Sequence, residues 1–304
     1  MTSQDLTQQQ QGFFKRCEEC YNLIQDFLND SLKTDLVPKR HKGYKYDSNL
    51  RSSVKLKIKS SMEKLEKSID LHGLKEIAIS YNGGKDCLVM LILLMATIYK
   101  KFITNHETNF YSNDMIPKDY KLDSIFINSE ISFPELIDFI KESTQYYYLN
   151  PIIIKDNLKS GFLNYLNNIN KSIKSVIVGI RYSDPFGSNL KLEQITDHNW
   201  PKFLRIHPIL DWKYIEIWDF LVGTNINYCK LYDVGYTSLG GINNTLPNPK
   251  LLITDSDHKN NENNDQNNNN DADENDDNEK KYLPAYMLRH DADALERLGR
   301  IKST

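Results

Sequence analysis

The chain has 304 residues, 39% of them hydrophobic, which is enough for one large core or two smaller ones. Its net charge of −3 conceals a split: residues 255–279 hold ten acidic side chains against one lysine, so the remainder carries +6, a balance suited to phosphate-bearing ligands. The longest apolar run, 87–99, is too short to cross a bilayer, the Gln-rich start has no secretory pattern, four scattered cysteines make no disulfide framework, and no basic run interleaved with aromatics tracks a nucleic acid. The expectation is a cytoplasmic monomer with neither membrane nor nucleic-acid partners.

In chain order, residues 1–72 form a helical segment, with helices predicted at 13–28 and 50–71. Cys17-Glu18-Glu19-Cys20 falls in the first of these, without a second pair to complete a zinc site or a βαβ context for redox chemistry, so it reads as incidental. Residues 73–254 then alternate short apolar runs with segments of helical length. EIAIS (76–80), SIFINS (124–129), PIIIKD (151–156), SVIVGI (175–180) and, more weakly, FLRIHPI (203–209) read as strands. Helices are expected at 85–103, 133–148 and 158–169, the second opening on Phe133-Pro134. Residues 104–123 read as a polar connection. The alternation predicts an α/β fold with a parallel sheet, helices on both faces, and a ligand crevice beyond the carboxyl ends of the strands.

HPILDWKYIEIWDFL (207–221) reads as a strand end, a helix start at Asp211, and a core stripe of Ile215, Trp218 and Leu221. His198 and His207 are isolated, and a structural role suits both. The Asn- and Asp-rich stretch 255–279 cannot bury enough apolar surface to offset its ordering entropy and is expected to be a disordered insertion. Residues 280–304 recover aromatic and apolar character and are expected to fold back as an active-site tail. There Arg297 and Arg300 fall three apart on a predicted helix, where they share a face.

The most informative segment is Ser80-Tyr81-Asn82-Gly83-Gly84-Lys85-Asp86, which closes a β-branched run and opens a long apolar helix. Paired glycines bring backbone N–H groups close to an anion, and the helix N-terminus adds partial positive charge. It is not a Walker loop, since Ile79 stands where the first glycine would be and Asp86 follows the lysine. An Asn-Gly hairpin is disfavoured because the following CLVMLILLMATIY does not alternate. Asp86 serves either as a helix cap or as a magnesium ligand placed between carboxylate and phosphate. Further on, Arg181-Tyr182-Ser183-Asp184-Pro185-Phe186 follows a buried strand. Arg181 can fork onto phosphate, Asp184 can accept from an imide, and Pro185-Phe186 offers a flat wall; the alternative is a plain Ser-Asp-Pro turn.

SYNGGKD resembles the pyrophosphatase loop of the adenine nucleotide alpha-hydrolase folds, in the sulfonucleotide-reductase-like branch. Within it VGIRYSDPFG (178–187), HPILDWKYIEIWDFL and LYDVGYTSLGG (231–241) resemble eukaryotic FAD synthetases of the yeast type, over about 76–300. The resemblance implies a modified Rossmann-like fold, ATP and FMN as substrates, FAD as product and magnesium as the ion. It assigns Asn82, Asp86, Arg297 and Arg300 to catalysis, and Ser80, Tyr81, Gly83, Gly84, Lys85, Asn128, Ile180 and Arg181 to ATP and its phosphates. Tyr182, Asp184, Pro185 and Phe186 go to the flavin, Asp86 to the metal, and the tyrosines and glycines of 231–241 to a loop near the nucleotide. The FMN phosphate, with a second pKa of about 6, is largely dianionic at neutral pH and needs no general base. A sulfonucleotide reductase would need a reactive cysteine near its C-terminus, and none follows Cys229. A tRNA thiolase or a non-catalytic flavin or nucleotide sensor is the remaining alternative.

Overall fold

The structure, a computed structural model, describes residues 8–32, 35–102, 120–253 and 281–301. Most of the expected connection 104–123 and the acidic insertion 255–279 lie outside the described residues. Its centre is a six-stranded sheet: β1 (Ile77–Ser80), β2 (Asp123–Ile127), β3 (Asn150–Ile154), β4 (Ser175–Ile177), β5 (Glu193–Ile195) and β6 (Leu204–Ile206), in the spatial order β3-β2-β1-β4-β6-β5. All neighbours are parallel except β5, which runs antiparallel to β6 at the edge. The parallel α/β sheet matches the expectation. β5 does not: its Leu-Glu-Gln-Ile-Thr stretch has no apolar run, and it is anchored from outside the sheet by Ser68 and His72, which both reach Glu193.

The helices are α1 (Gln8–Leu28), α2 (Ser48–His72), α3 (Lys85–Phe102), α4 (Pro134–Tyr146), α5 (Leu158–Asn164), α6 (Tyr214–Thr224) and a short α7 (Ala292–Leu295). Helix α3 is apolar on every side because it lies inside the molecule; every residue from Cys87 to Ile98 is buried. Helices α1 and α2 pack over it, Phe13, Cys17 and Cys20 joining Val54 and Ile58 in one core with Leu88 and Ile92. The four cysteines are free and buried, so Cys17 and Cys20 are core residues. Helix α2 starts where the Asp47 carboxylate accepts from the amides of Asn49 and Leu50 at 2.9 and 3.1 Å. Pro134 supplies the first residue of α4, and the Glu216 carboxylate accepts the Lys213 amide at 2.7 Å to open α6.

The span expected at 158–169 is helical throughout, α5 passing at Tyr165, whose hydroxyl donates to Asp123 at 2.5 Å, into a wide turn to Ile169. Two other expected elements differ at their ends. The strand expected over 203–209 stops at Ile206, since His207 Nδ1 meets the Lys191 carbonyl at 2.7 Å and the Pro208 carbonyl accepts from Ser61 at 2.8 Å. Helix α6 begins at Tyr214 rather than Asp211, whose carboxylate is held by Lys57 and Lys64 at 2.8 and 3.0 Å. Trp218 and Leu221 lie in the core as expected, with Ile215 packed against it. No helix of the described residues is long and apolar enough to cross a membrane.

A fully buried ion pair helps tie the N-terminal helices to the α/β body. Arg51 of α2 and Asp219 of α6 meet at 2.7 Å with side chains 3% and 0% exposed, and the Tyr44 hydroxyl donates to the same carboxylate at 2.9 Å. Breaking such a pair strands a buried charge, at a cost of about 3–5 kcal/mol. Asp219→Ala is therefore expected to lower unfolding free energy by about that amount in urea titration, whereas substitution of the exposed pair partner Asp30 should leave it nearly unchanged.

Candidate active site

The sheet's chain order reverses between β1 and β4, where the connections diverge, and a cavity of about 410 Å³ opens beyond the carboxyl ends of β1, β2 and β4. Its floor is the turn from β1 into α3. Gly83 adopts φ +71°, and a Cβ there would meet Ile140 at 2.8 Å and Leu136 at 3.0 Å, so only glycine lets the turn lie against α4. The Asn82 carboxamide accepts the Gly84 amide at 3.0 Å, and the buried Tyr232 hydroxyl accepts the Lys85 amide at 3.0 Å. Two of the first donors of α3 are thereby satisfied by side chains, which fixes the shape of the turn that lines the cavity.

Behind the floor lies a cluster of buried charge. Lys85 Nζ reaches Asp86 at 2.9 Å and also pairs with Glu296 of the tail. Arg181, with no exposed side-chain surface, meets Asp86 at 2.9 Å, Asp293 at 3.2 Å and Asp184 at 3.3 Å, and pairs with Glu296. Burial works against the Asp86 carboxylate, yet Arg181 and Lys85 hold it below its ordinary value. Burial likewise disfavours the charged Lys85, and Asp86 and Glu296 overcome it and raise its pKa. Asp293 also accepts the Tyr214 amide at 2.8 Å, so the same tail carboxylate caps α6.

The opposite wall is made by loop 238–241 and the tail. Arg297 and Arg300 face the cavity, and among the described residues neither forms an ion pair. They are not on a helix, contrary to the sequence expectation. Helix α7 ends at Leu295, the Glu296 carboxylate is drawn inward, and Gly299 packs onto the Leu246 carbonyl, so the chain turns and Arg300 bridges Thr245 as a strand-like pair. Burial and the neighbouring Arg297 lower the Arg300 pKa. The Arg300 guanidinium rests on Gly240, where any Cβ would collide with it.

Of the residues singled out from sequence, Asn82, Gly84, Lys85 and Asp86 reach this cavity together with Asn128, Asp184, Arg297 and Arg300. The others do not line it. Ser80 ends β1, and Ile180 lies half-buried beyond β4. Tyr81 points into the core, its hydroxyl donating to Ser143 at 2.9 Å, and Gly83 faces α4. Arg181 lies behind the cavity, its guanidinium among four carboxylates. Tyr182 and Phe186 lie outside the mouth, 48% and 95% exposed, beside the exposed Pro185. The Asp86 carboxylate, neutralised by two cations, does not fit as a magnesium ligand in this arrangement. His207 keeps a structural place and His198 is exposed.

Sequence reading foresaw the 231–241 loop here, and Tyr232, Ser238, Leu239 and Gly240 line the wall. It missed Glu130, Asp156, Asp293 and Glu296. Glu130 and Asp156 stand just past the ends of β2 and β3, where the crevice rule would have found them. Asp293 and Glu296 carry no local signal, since their side-chain partners, Arg181, Tyr214 and Lys85, lie far away along the chain.

The chain matches the phosphoadenosine phosphosulfate reductase domain family over residues 76–165 and 162–247. It is 39% identical over 202 residues to a probable FAD synthase of Schizosaccharomyces pombe, covering 66% of this chain and 72% of that one. It is 32% identical over 246 residues to the flavin adenine dinucleotide synthase of Saccharomyces cerevisiae, covering 78% and 76%. In three dimensions it resembles Candida glabrata FMN adenylyltransferase solved with FAD and inorganic pyrophosphate, with a TM-score of 0.75, 29% identity, and 96% and 98% of the two chains covered.

The charge cluster makes a prediction about acid stability. Because the folded Asp86 value lies below its ordinary 3.8, its contribution is present above that value and is lost as pH falls through the folded one. Arg181→Lys keeps the charge but forfeits the planar fork that reaches four carboxylates. The acid-unfolding midpoint, followed by circular dichroism, is expected to move to higher pH; an unchanged midpoint would show that the cluster does not hold Asp86.

Proposed function

Since the chain belongs to the phosphoadenosine phosphosulfate reductase domain family, in its FAD synthase branch, we propose that it is an FMN adenylyltransferase, converting ATP and FMN to FAD and pyrophosphate. The observation that carries this reading is the pair of guanidiniums, Arg297 and Arg300, unpaired among the described residues and facing the N-terminus of α3 across one cavity. That arrangement suits a chain of phosphates whose outer end lies on the two guanidiniums.

An oxygen of the FMN phosphate bonds to the α-phosphorus of ATP while the bond from that phosphorus to the bridging oxygen of the β-phosphate breaks, and pyrophosphate leaves with the electron pair. A dianionic phosphate needs no proton removed, so the residues act by alignment and charge. Asn82 and Tyr232, which take the Gly84 and Lys85 amides, hold the shape of the turn at the α-phosphate end. Arg297 and Arg300 take the β- and γ-oxygens and the charge that develops on them. Lys85 and Asp86 lie too deep in ion pairs to serve as freely moving groups and instead hold the turn rigid. Magnesium enters as the ion carried on the ATP phosphates.

The flavin ring extends past Asp184 onto Tyr182, Pro185 and Phe186. The support is the 95% exposure of Phe186 at φ +65°, a conformation unfavourable for a bulky residue without a functional reason. Asp184 has accepting capacity left after Arg181, enough for a flavin imide. Cytoplasmic residence fits four free thiols. Reductase chemistry fares worse: the last cysteine, Cys229, is buried, which pushes its thiol up to about 11.

Incubation with ATP, magnesium and FMN is expected to yield FAD and pyrophosphate together, separated by chromatography, with no product when any one is left out. Arg300→Ala should lower kcat/KM for ATP by about 10²-fold with little change in the KM for FMN. Gly240→Ala, which displaces the Arg300 guanidinium from its seat, should reproduce much of that loss. Equal losses toward both substrates would remove Arg300 from the triphosphate.

A further inference from the structure

The cavity mouth is spanned by two loops that meet at one carboxylate. After β2, Asn128 ties its own loop into a knot: its carboxamide donates to the Glu130 carbonyl at 3.0 Å and to Ser132 at 2.6 Å, and accepts the Glu130 amide at 3.0 Å. Glu130 at the tip of that knot reaches across to the other wall. One of its oxygens accepts the Gly241 amide at 2.6 Å and the other accepts from the Asn244 side chain at 2.8 Å. The Ile131 carbonyl accepts the Ile242 amide at 2.8 Å, and Ser132 and Gly241 form an antiparallel bridge.

The loop so held is the one that seats Arg300. Gly240, next to Gly241, lies beneath the guanidinium, and the Asn244 carbonyl accepts the Ile301 amide at 2.9 Å. Glu130 also lines the cavity and stands in the electrostatic field of Arg300, raising its pKa against burial and Arg297. A carboxylate is an unexpected neighbour for a triphosphate, because it repels what the site must hold.

We infer that Glu130 is a positioning residue with two opposed effects: its hydrogen bonds hold the loop that seats Arg300, and its charge weakens the hold of the site on ATP and on departing pyrophosphate. This rests on the proposed adenylyltransferase activity. The two effects are separable because glutamine keeps an acceptor for the Gly241 amide, and Asn244 can turn its carboxamide oxygen toward the new NH₂, while the charge is gone. Alanine removes both.

The experiment measures KM for ATP and the inhibition constant of pyrophosphate for the full chain and for E130Q and E130A, with thermal unfolding of each. E130Q is expected to lower both constants by about threefold or more, as loss of one unit of repulsion in a partly screened cavity would. It should also make both constants more sensitive to added salt, because the net attraction of the site for these anions grows. E130A is expected to raise KM for ATP, with the KM for FMN unchanged. Opposite directions for the two variants support the inference. If both raise KM equally, Glu130 is only a loop brace and the charge effect is overturned; if neither changes it, the positioning role falls as well. A full chain that forms no FAD at all would instead sink the proposed activity.

Discussion

Two buried cations and four carboxylates hold the site together. Lys85 and Asp86 come from the first turn of α3, Arg181 and Asp184 from the loop after β4, and Asp293 and Glu296 from the tail. Each of these groups alone would be expensive to bury, and each is tolerated only because the others are in place. The tail is therefore held to the α/β body by charge satisfaction as well as apolar contact. Its position then sets where Arg297 and Arg300 stand, and Glu296 supplies both the buried carboxylate and, through its carbonyl, the acceptor for the Thr237 hydroxyl at 2.6 Å.

This dependence explains what could be read from the sequence. The alternation of apolar runs, the glycine turn before α3 and the proline at the start of α4 are local signals, and they placed the sheet, the central helix and the crevice. Asn82, Gly84, Asp184, Arg297 and Arg300 were found because they sit at strand ends or carry a recognisable motif. What the sequence did not carry has one physical source, which is long-range pairing. Arg181, read as a phosphate fork, is met by Asp86 and Asp184 and by Asp293 and Glu296 of the tail, and Asp86, read as a metal ligand, is met by Arg181 and Lys85. The helix expected under Arg297 and Arg300 fails because the pull on Glu296 and the contact of Gly299 with Leu246 break its path. Edge strand β5 depends on Ser68 and His72, which local hydrophobicity does not register.

The fold also divides the work of glycine and aromatic residues around the turn. Gly83 lets the turn approach α4, whose Ser143 takes the Tyr81 hydroxyl, so the residue just before Asn82 is fixed from behind. Tyr232 fixes the residue just after Gly84 from the side, and Trp218 packs edge-on against it at 5.3 Å. These contacts fix the turn that carries Asn82 and Gly84 at the cavity, so its shape does not have to reorganise when a ligand enters.

The sign of the buried cluster bears on how a triphosphate is oriented in the site. Its two cations and four carboxylates leave the floor behind α3 with an excess of negative charge, while the cations unpaired among the described residues stand at the opposite wall. A triphosphate in this field is drawn toward Arg297 and Arg300 rather than deeper into the protein. In the proposed reaction this directs the β- and γ-phosphates to the tail and leaves the α-phosphorus by the Gly84 turn, within reach of a flavin phosphate arriving past Asp184. It also puts the leaving pyrophosphate on the solvent-facing side, where Arg297 is exposed and Glu130 contributes an opposing charge. A wholly cationic pocket would bind ATP more tightly and release pyrophosphate more slowly; mixed charge trades ground-state affinity for passage through the site.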